Sequence, residues 1–168
     1  MILIGLGGNL PSAAGEPPAT FAAALAQLEA AGVSILARSG WYQSAPVPVS
    51  DQPWFINGAV QVATDLAPED LLALLHRIEA DFGRVRQTLN GSRTLDLDLL
   101  AYGDLIRQEA APILPHPRLH ERAFVLLPLA DIAPGWRHPV LGLSPAALLQ
   151  KIPSGQLIRP LEPNRDTA

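Results

Sequence analysis

The chain has no cysteine, and this absence removes several classes of protein at once. Disulfides, thiolate metal sites and a cysteine nucleophile are excluded, and the composition fits a reducing compartment. No apolar run approaches the ~18 to 20 residues that a membrane helix needs, and the first residues form an apolar stretch without a basic leader. A net charge of −4 also argues against a general nucleic-acid surface. We therefore expect a cytoplasmic protein with no membrane or nucleic-acid partner.

The rest of the composition predicts a single globular domain over residues 1–168. Of its 168 residues, 48% are hydrophobic and 17% are charged, which is sufficient for a packed core. Periodicity and Pro/Gly punctuation predict a strand at 1–6, a helix at 19–31, strands at 33–42 and 54–64, a helix at 68–82 and a strand at 94–100. This β-α-β-β-α-β order predicts a ferredoxin-like α/β fold: an antiparallel sheet with these helices on one face.

Shorter features complete this prediction. The segment Gly5-Leu6-Gly7-Gly8-Asn9 is interpreted as a tight turn, because the third glycine of a dinucleotide-binding fingerprint falls on Leu10. A C-terminal extension should contain a helix at 121–132 and a shorter one from Ser144-Pro145, where serine suits the cap and proline the first turn. Residues from about 157 onward are polar, and we expect a frayed tail without a function.

Two acids alternate with leucines in the stretch Leu95-Asp96-Leu97-Asp98-Leu99. Successive side chains of a strand point to opposite faces, so both carboxylates share one face, about 7 Å apart at ~3.3 Å per residue. Such a pair suits the solvated face of an edge strand or a glycosidase-like acid/base pair. It also suits a site for Mg²⁺, which takes carboxylate oxygens and retains waters for substrate phosphates.

The segment before the acids favours the Mg²⁺ interpretation. Residues 83–93 include Arg84, Arg86 and Arg93 and no acid. Taken alone, these arginines would be ordinary solvated loop charge. Next to two carboxylates they suit a polyphosphate, with metal ions on the acids and free phosphate oxygens on the guanidinium groups. A sugar hydrolase has no use for such a basic segment.

Other residues are candidates for ligand contacts, each with a plainer alternative. Phe55 and Asn57 share a strand face and could stack on and hydrogen-bond a flat heterocycle; singly, they fit a core ring and a strand-end amide. Glu79 on the second predicted helix is, by itself, a solvated surface residue. His116, between two prolines, suits phosphate or metal, although a lone histidine is more often polar surface. Arg122 precedes a helix whose first N–H groups attract anions.

Taken together, these motifs resemble the 6-hydroxymethyl-7,8-dihydropterin pyrophosphokinase family of folate biosynthesis. The matching stretches, in the family's order from residue 5 to about 134, are "GLGGNL", "WYQSAPV…DQPWFINGAV", "RIEADFGRVR", "GSRTLDLDLLAYG" and "LPHPRLHERAFVLLPLADIAP". The "RTLDLDLL" and "PHPR" stretches are specific, whereas the glycine segment is not. The resemblance implies a ferredoxin-like α/β fold and an enzyme that converts ATP and the pterin alcohol into AMP and the pterin diphosphate.

The resemblance also implies a role for each matching residue. Asp96 and Asp98 would hold two Mg²⁺ ions, and Asp98 is a candidate to take the hydroxyl proton. The implied ATP contacts are Glu79, Arg84, Arg86, Arg93, His116 and Arg122, with Arg84 and Arg93 as the catalytic pair. The implied pterin contacts are Ser44, Ala45, Val47, Phe55, Asn57 and Phe124. The transfer is expected to be in line, without a covalent intermediate, in a monomer.

One departure from the family bears on the site. Asn90-Gly91-Ser92-Arg93 stands where the family usually has Trp-Gly-Pro-Arg, so the resemblance does not extend to how the family's basic segment packs over the site. A ferredoxin-like module that senses nucleotide or metal without catalysis is therefore the alternative function; it would bind ATP and Mg²⁺ without producing AMP. An RNA-binding module fits less well, because the chain is acidic and lacks paired aromatic residues on neighbouring strands.

Overall fold

The computed structural model describes residues 1–46, 48, 50–83 and 93–161. The strands are β1 Ile2–Gly8, β2 Ser34–Arg38, β3 Tyr42–Ser44, β4 Phe55–Ala63, β5 Asp96–Tyr102 and β6 Ile158–Pro160. The helices are α1 Pro17–Ala30, α2 Pro68–Asp81, α3 Ala123–Ile132 and α4 Pro145–Leu149, with a 3-10 turn at Leu119–Glu121. Ser144 caps α4 as predicted, since its hydroxyl accepts a bond from the Ala147 N–H at 3.2 Å.

The strands form a six-stranded antiparallel sheet in the order β5-β1-β4-β3-β6, with β2 also paired to β4. The predicted ferredoxin-like core is therefore confirmed. The strand predicted at 33–42 is wrong in one respect, because it is split into β2 and β3. At the break, the Ser39 hydroxyl accepts the Ala59 N–H at 2.9 Å and so takes over a bond of the ladder.

The sheet has a hydrophobic core on each face. Ile4 and Leu6 of β1 pack with α1 and α2 on one face, as the pattern predicted for these helices. Leu3, which points the other way, packs with α3 and α4 on the opposite face. The C-terminal helices therefore cover the face that carries Asp96 and Asp98, since these acids alternate with the leucines of the first core.

Two sequence-based expectations about the ends of the chain are wrong. The glycine segment is not a turn, because β1 continues through Gly5 and Gly7 to Gly8. Residues Ile158–Pro160 are not frayed but pair with β3 as strand β6. Of the residues that the model describes, no helix combines the length and apolarity needed to cross a membrane.

Candidate active site

Residues from three strands form one row across the sheet. Asp96 of β5 pairs with Gly7 of β1, and Gly7 pairs in turn with Asn57 of β4. Asp98 pairs with Gly5 in the parallel row above. The sheet therefore places the acidic pair and Asn57 on the same face, separated by a strand that contributes no side chains there.

The glycines of β1 let neighbouring side chains lie over this row. A Cβ atom at Gly7 would lie 3.1 Å from the Asn57 side-chain oxygen, so a larger residue would displace that amide. A Cβ atom at Gly5 would lie 3.4 Å from a Leu100 methyl group, an ordinary contact. Gly7 is thus the more restrictive position, because the Asn57 amide takes the space that a side chain there would need.

Basic groups lie beside the acidic pair. The Arg93 Nη1 atom is 3.3 and 3.2 Å from the two carboxylate oxygens of Asp96, with the side chains 25% and 18% exposed. Burial lowers the pKa of Arg122, and the nearby charges of Arg118 and Arg93 lower it further, whereas Asp98 raises it. The structure therefore brings together two acids and two of the predicted phosphate-binding arginines.

His116 joins this cluster with a partly buried side chain. Burial lowers its pKa; Asp98 opposes this effect, while Arg122 and Arg118 add to it. Its backbone N–H donates to the Leu100 carbonyl at 2.9 Å, and its ring Nδ1 accepts the Arg118 N–H at 3.2 Å. A neutral ring that accepts at Nδ1 carries its proton on Nε2, which is thus a donor. His116 is not the surface residue that its isolation in the sequence suggested.

The opposite end of the row consists of residues predicted to contact the pterin. Asn57 is 5% exposed, and its Nδ2 donates to the Ser44 hydroxyl at 2.8 Å. Phe55 lies two residues away on the same face. Phe124 is the second residue of α3, and the Arg122 guanidinium carbon lies 5.4 Å from the centroid of its ring. Arg122 thus contacts one residue predicted to bind the pterin and is itself predicted to bind phosphate.

Asn9 is a site residue that the sequence interpretation missed. It is 4% exposed, its Oδ1 accepts the Arg93 N–H at 2.8 Å, and its Nδ2 donates to the Gln52 side chain at 3.2 Å and the Pro53 carbonyl at 3.0 Å. It therefore links Arg93, in the segment before β5, to the segment before β4. In the sequence, the only signal for Asn9 is a polar residue between a glycine pair and a leucine. Its hydrogen-bond partners are at least 43 residues away, so the sequence does not identify them.

Glu79 is also placed differently from the surface position suggested by the sequence alone. It is 2% exposed, and its carboxylate accepts the Leu97 N–H at 3.0 Å. Leu97 lies between Asp96 and Asp98, so Glu79 holds the backbone that carries the acidic pair. The site residues Val47, Arg84 and Arg86, predicted from the family resemblance, lie outside the described residues.

Comparisons with known proteins agree with this arrangement. Residues 3–134 match the family model of 7,8-dihydro-6-hydroxymethylpterin-pyrophosphokinase (HPPK). The chain is 40% identical over 151 residues to a Synechocystis protein named 2-amino-4-hydroxy-6-hydroxymethyldihydropteridine pyrophosphokinase, a match that covers 89% of this chain and 75% of that protein. A Pseudomonas aeruginosa protein of the same name is 42% identical over 139 residues, covering 82% and 83% of the two chains.

Longer proteins match as well. The Pneumocystis carinii folic acid synthesis protein fol1 is 41% identical over 151 residues, which is 90% of this chain but 20% of that protein. Among solved structures, a Plasmodium falciparum HPPK-DHPS superposes with a TM-score of 0.69 at 16% identity, covering 89% of this chain and 42% of the other. That likeness supports the fold. On the family match and these identities, the chain belongs to the 7,8-dihydro-6-hydroxymethylpterin-pyrophosphokinase family, whose members are enzymes that transfer pyrophosphate.

Proposed function

We propose that the protein transfers the β,γ-diphosphate of ATP to the hydroxymethyl oxygen of 6-hydroxymethyl-7,8-dihydropterin. The observation that carries this proposal is the row Asp96–Gly7–Asn57, which places an acidic pair and a buried amide on one face of the sheet with only glycine between them. A triphosphate suits the acidic end with its arginines. A flat heterocycle with amide-like edges suits the end formed by Asn57, Phe55 and Phe124.

Mg²⁺ fits the acidic end of the row. Two carboxylates on one strand face are hard oxygen donors, and proteins commonly bind Mg²⁺ through one or two carboxylates plus substrate phosphates and water. Among the described residues, no group of three or more acids, histidines or cysteines is suited to hold a metal. Asp96 and Asp98 would therefore be the protein ligands. Bound Mg²⁺ would supply charge neutralisation and Lewis-acid polarisation of the phosphate oxygens.

The protein's own residues would orient the two substrates and stabilise charge. Asn57 would hold the pterin edge, with its amide already fixed by Ser44. Arg93, Arg122 and the Nε2–H of His116 would donate to phosphate oxygens, where charge-assisted bonds are strong. Phosphoryl transfer depends mainly on such positioning and electrostatic stabilisation, so no nucleophilic side chain is required.

The chemistry itself is an in-line displacement. The hydroxymethyl oxygen forms a bond to the β-phosphorus of ATP, the bond from that phosphorus to the α,β-bridging oxygen breaks, and AMP departs. The hydroxyl proton leaves to water or to the Asp98 carboxylate.

The test combines product analysis with matched acid variants. Wild-type protein with ATP, MgCl₂ and the pterin alcohol should yield AMP and pterin diphosphate in equal amounts, as measured by chromatography. Asp96→Asn and Asp98→Asn should each reduce turnover at least about a hundredfold, because a metal ligand loses its charge. Asp104→Asn, an exposed acid after β5, is the control and should retain wild-type turnover.

Three outcomes would count against the proposal. ADP as the nucleotide product would mean transfer of a single phosphoryl group. ATP binding without any product would favour the nucleotide-sensing module. Full turnover in both acid variants would show that the carboxylates do not hold the metal.

A further inference from the structure

The segment Gln156–Leu161, here called the C-terminal brace, contacts both ends of the pterin half of the site. Its strand β6 pairs with β3 in the register Tyr42 with Pro160 and Ser44 with Ile158. The Ala45 N–H donates to the Leu157 carbonyl at 3.1 Å. The backbone around Ser44, whose hydroxyl fixes Asn57, is therefore held from its outer side by the brace.

The first residue of the brace is bonded to the start of α3. The Gln156 side-chain oxygen accepts the Ala123 N–H at 2.8 Å, and its Nε2 donates to the Glu121 carbonyl at 2.9 Å. Glu121 and Ala123, which carry these two backbone groups, flank Arg122, and Phe124 is the residue after Ala123. No side chain of the helix's own N-cap residue bonds to this end. Gln156 thus supplies a cap from a distant part of the chain.

Arg159 provides a third contact. Its Nε donates to the Gln43 side chain at 3.0 Å, and its guanidinium carbon lies 4.8 Å from the centroid of the Trp54 ring. Trp54 directly precedes Phe55 and is 37% exposed. Arg159 therefore contacts one face of the Trp54 ring, and it links the residue before Phe55 to strand β3 through Gln43.

We propose that the C-terminal brace is a positioning element for pterin binding, and that Gln156 and Arg159 are its positioning residues. This inference rests on the proposed function. The brace holds the Ser44–Ala45 backbone, the start of β4 and the start of α3 together, so that Phe55, Asn57 and Phe124 are already in place when the ligand arrives. Binding to such a preformed pocket does not require these groups to be ordered first.

Steady-state kinetics of brace variants test the inference. Arg159→Ala and Gln156→Ala should each raise KM for the pterin about fivefold, on the scale of a cation–π contact or a hydrogen bond. KM for ATP should change less than about twofold, because the phosphate contacts remain. Arg159→Lys keeps a cation over the indole and should recover part of the loss. Arg38→Ala is the matched control, since its ion pair with Glu29 is exposed and lies on β2.

Hydrogen exchange measures the same element without turnover. In Arg159→Ala, the Ala45 amide should exchange faster than in wild type, and in Gln156→Ala the Ala123 amide should do so. Equal increases in both KM values would mean a general loss of structure and would overturn the positioning role. Unchanged pterin KM in variants of an active wild type would overturn it as well. If the wild type itself makes no pterin diphosphate, the proposed function fails first, and the inference fails with it.

Discussion

Replacing Asn9 with alanine should weaken both the fold and the reaction. Asn9 is 4% exposed, and the substitution removes three hydrogen bonds of its side chain. The amide oxygen accepts one from the Arg93 N–H, and the amide nitrogen donates one to the Gln52 side chain and one to the Pro53 carbonyl. At a net ~1 kcal/mol for each bond, the free energy of unfolding should fall by about 3 kcal/mol. For a domain of this size the melting temperature should drop by about 6 to 12 °C. Because the Arg93 N–H loses its acceptor, while the Arg93 carbonyl keeps its bonds from the Asn9 and Leu10 N–H groups, kcat should decrease.

Urea unfolding followed by circular dichroism gives the free energy, and AMP formation gives kcat. Asn9→Asp tests the geometry further, because it retains the acceptor for the Arg93 N–H but loses both donors. Thr64→Ala removes a single local bond to the Leu66 N–H at 3.1 Å and should cost about 1 kcal/mol or less. If Asn9→Ala is no less stable than Thr64→Ala and turns over normally, Asn9 does not fasten the two segments.

Two further predictions address the row across the sheet and the protonation of the site. Gly7→Ala places a Cβ atom 3.1 Å from the Asn57 side-chain oxygen and should raise KM for the pterin severalfold, whereas Gly5→Ala, whose Cβ meets a flexible side chain at 3.4 Å, should leave it near wild type. His116 has a folded-state pKa below its ordinary 6.5, so the stability it contributes is present above pH 6.5 and is lost as pH falls through the folded pKa. NMR titration of the His116 ring should give a midpoint under 6.5 without ligand and a higher midpoint with ATP and Mg²⁺. The free energy of unfolding of His116→Gln should depend less on pH below 6.5 than that of the wild type. A His116 midpoint at the ordinary 6.5 without ligand would contradict the prediction.

Much of the fold could be predicted because its signals are local. Leucines at alternate positions around Asp96 and Asp98 determine which face of β5 is buried, and the structure has those leucines in the first core. Proline and glycine mark the ends of α1, α2 and α4 for reasons of backbone geometry. The acidic pair was recognisable because two like charges on one face require a partner, and the arginines nearby supplied one.

The features that the sequence predicted wrongly depend on contacts between residues far apart in the chain. Glu79 is a charged residue on an amphipathic helix, which predicts a surface position. It is buried because its carboxylate accepts a hydrogen bond from the Leu97 N–H, 18 residues later. Strand β6 is three residues long and contains a proline, so its own propensity predicts no strand. It forms because β3 offers an unpaired edge. The glycines within β1 suggested a turn because glycine weakens strands. In the structure, the space that a side chain at Gly7 would need is taken by the Asn57 amide.

The position of Glu79 also has a consequence for self-association. Strand β5 lies at the edge of the sheet, and an exposed edge is a template on which another chain can add a strand. The Glu79 carboxylate occupies the Leu97 N–H, a donor that an added strand would have to use, and α2 lies over this edge. The strand that carries the acidic pair is thereby closed to intermolecular pairing. Loss of this carboxylate would create an aggregation-prone edge on the strand that carries the two acids of the proposed metal site.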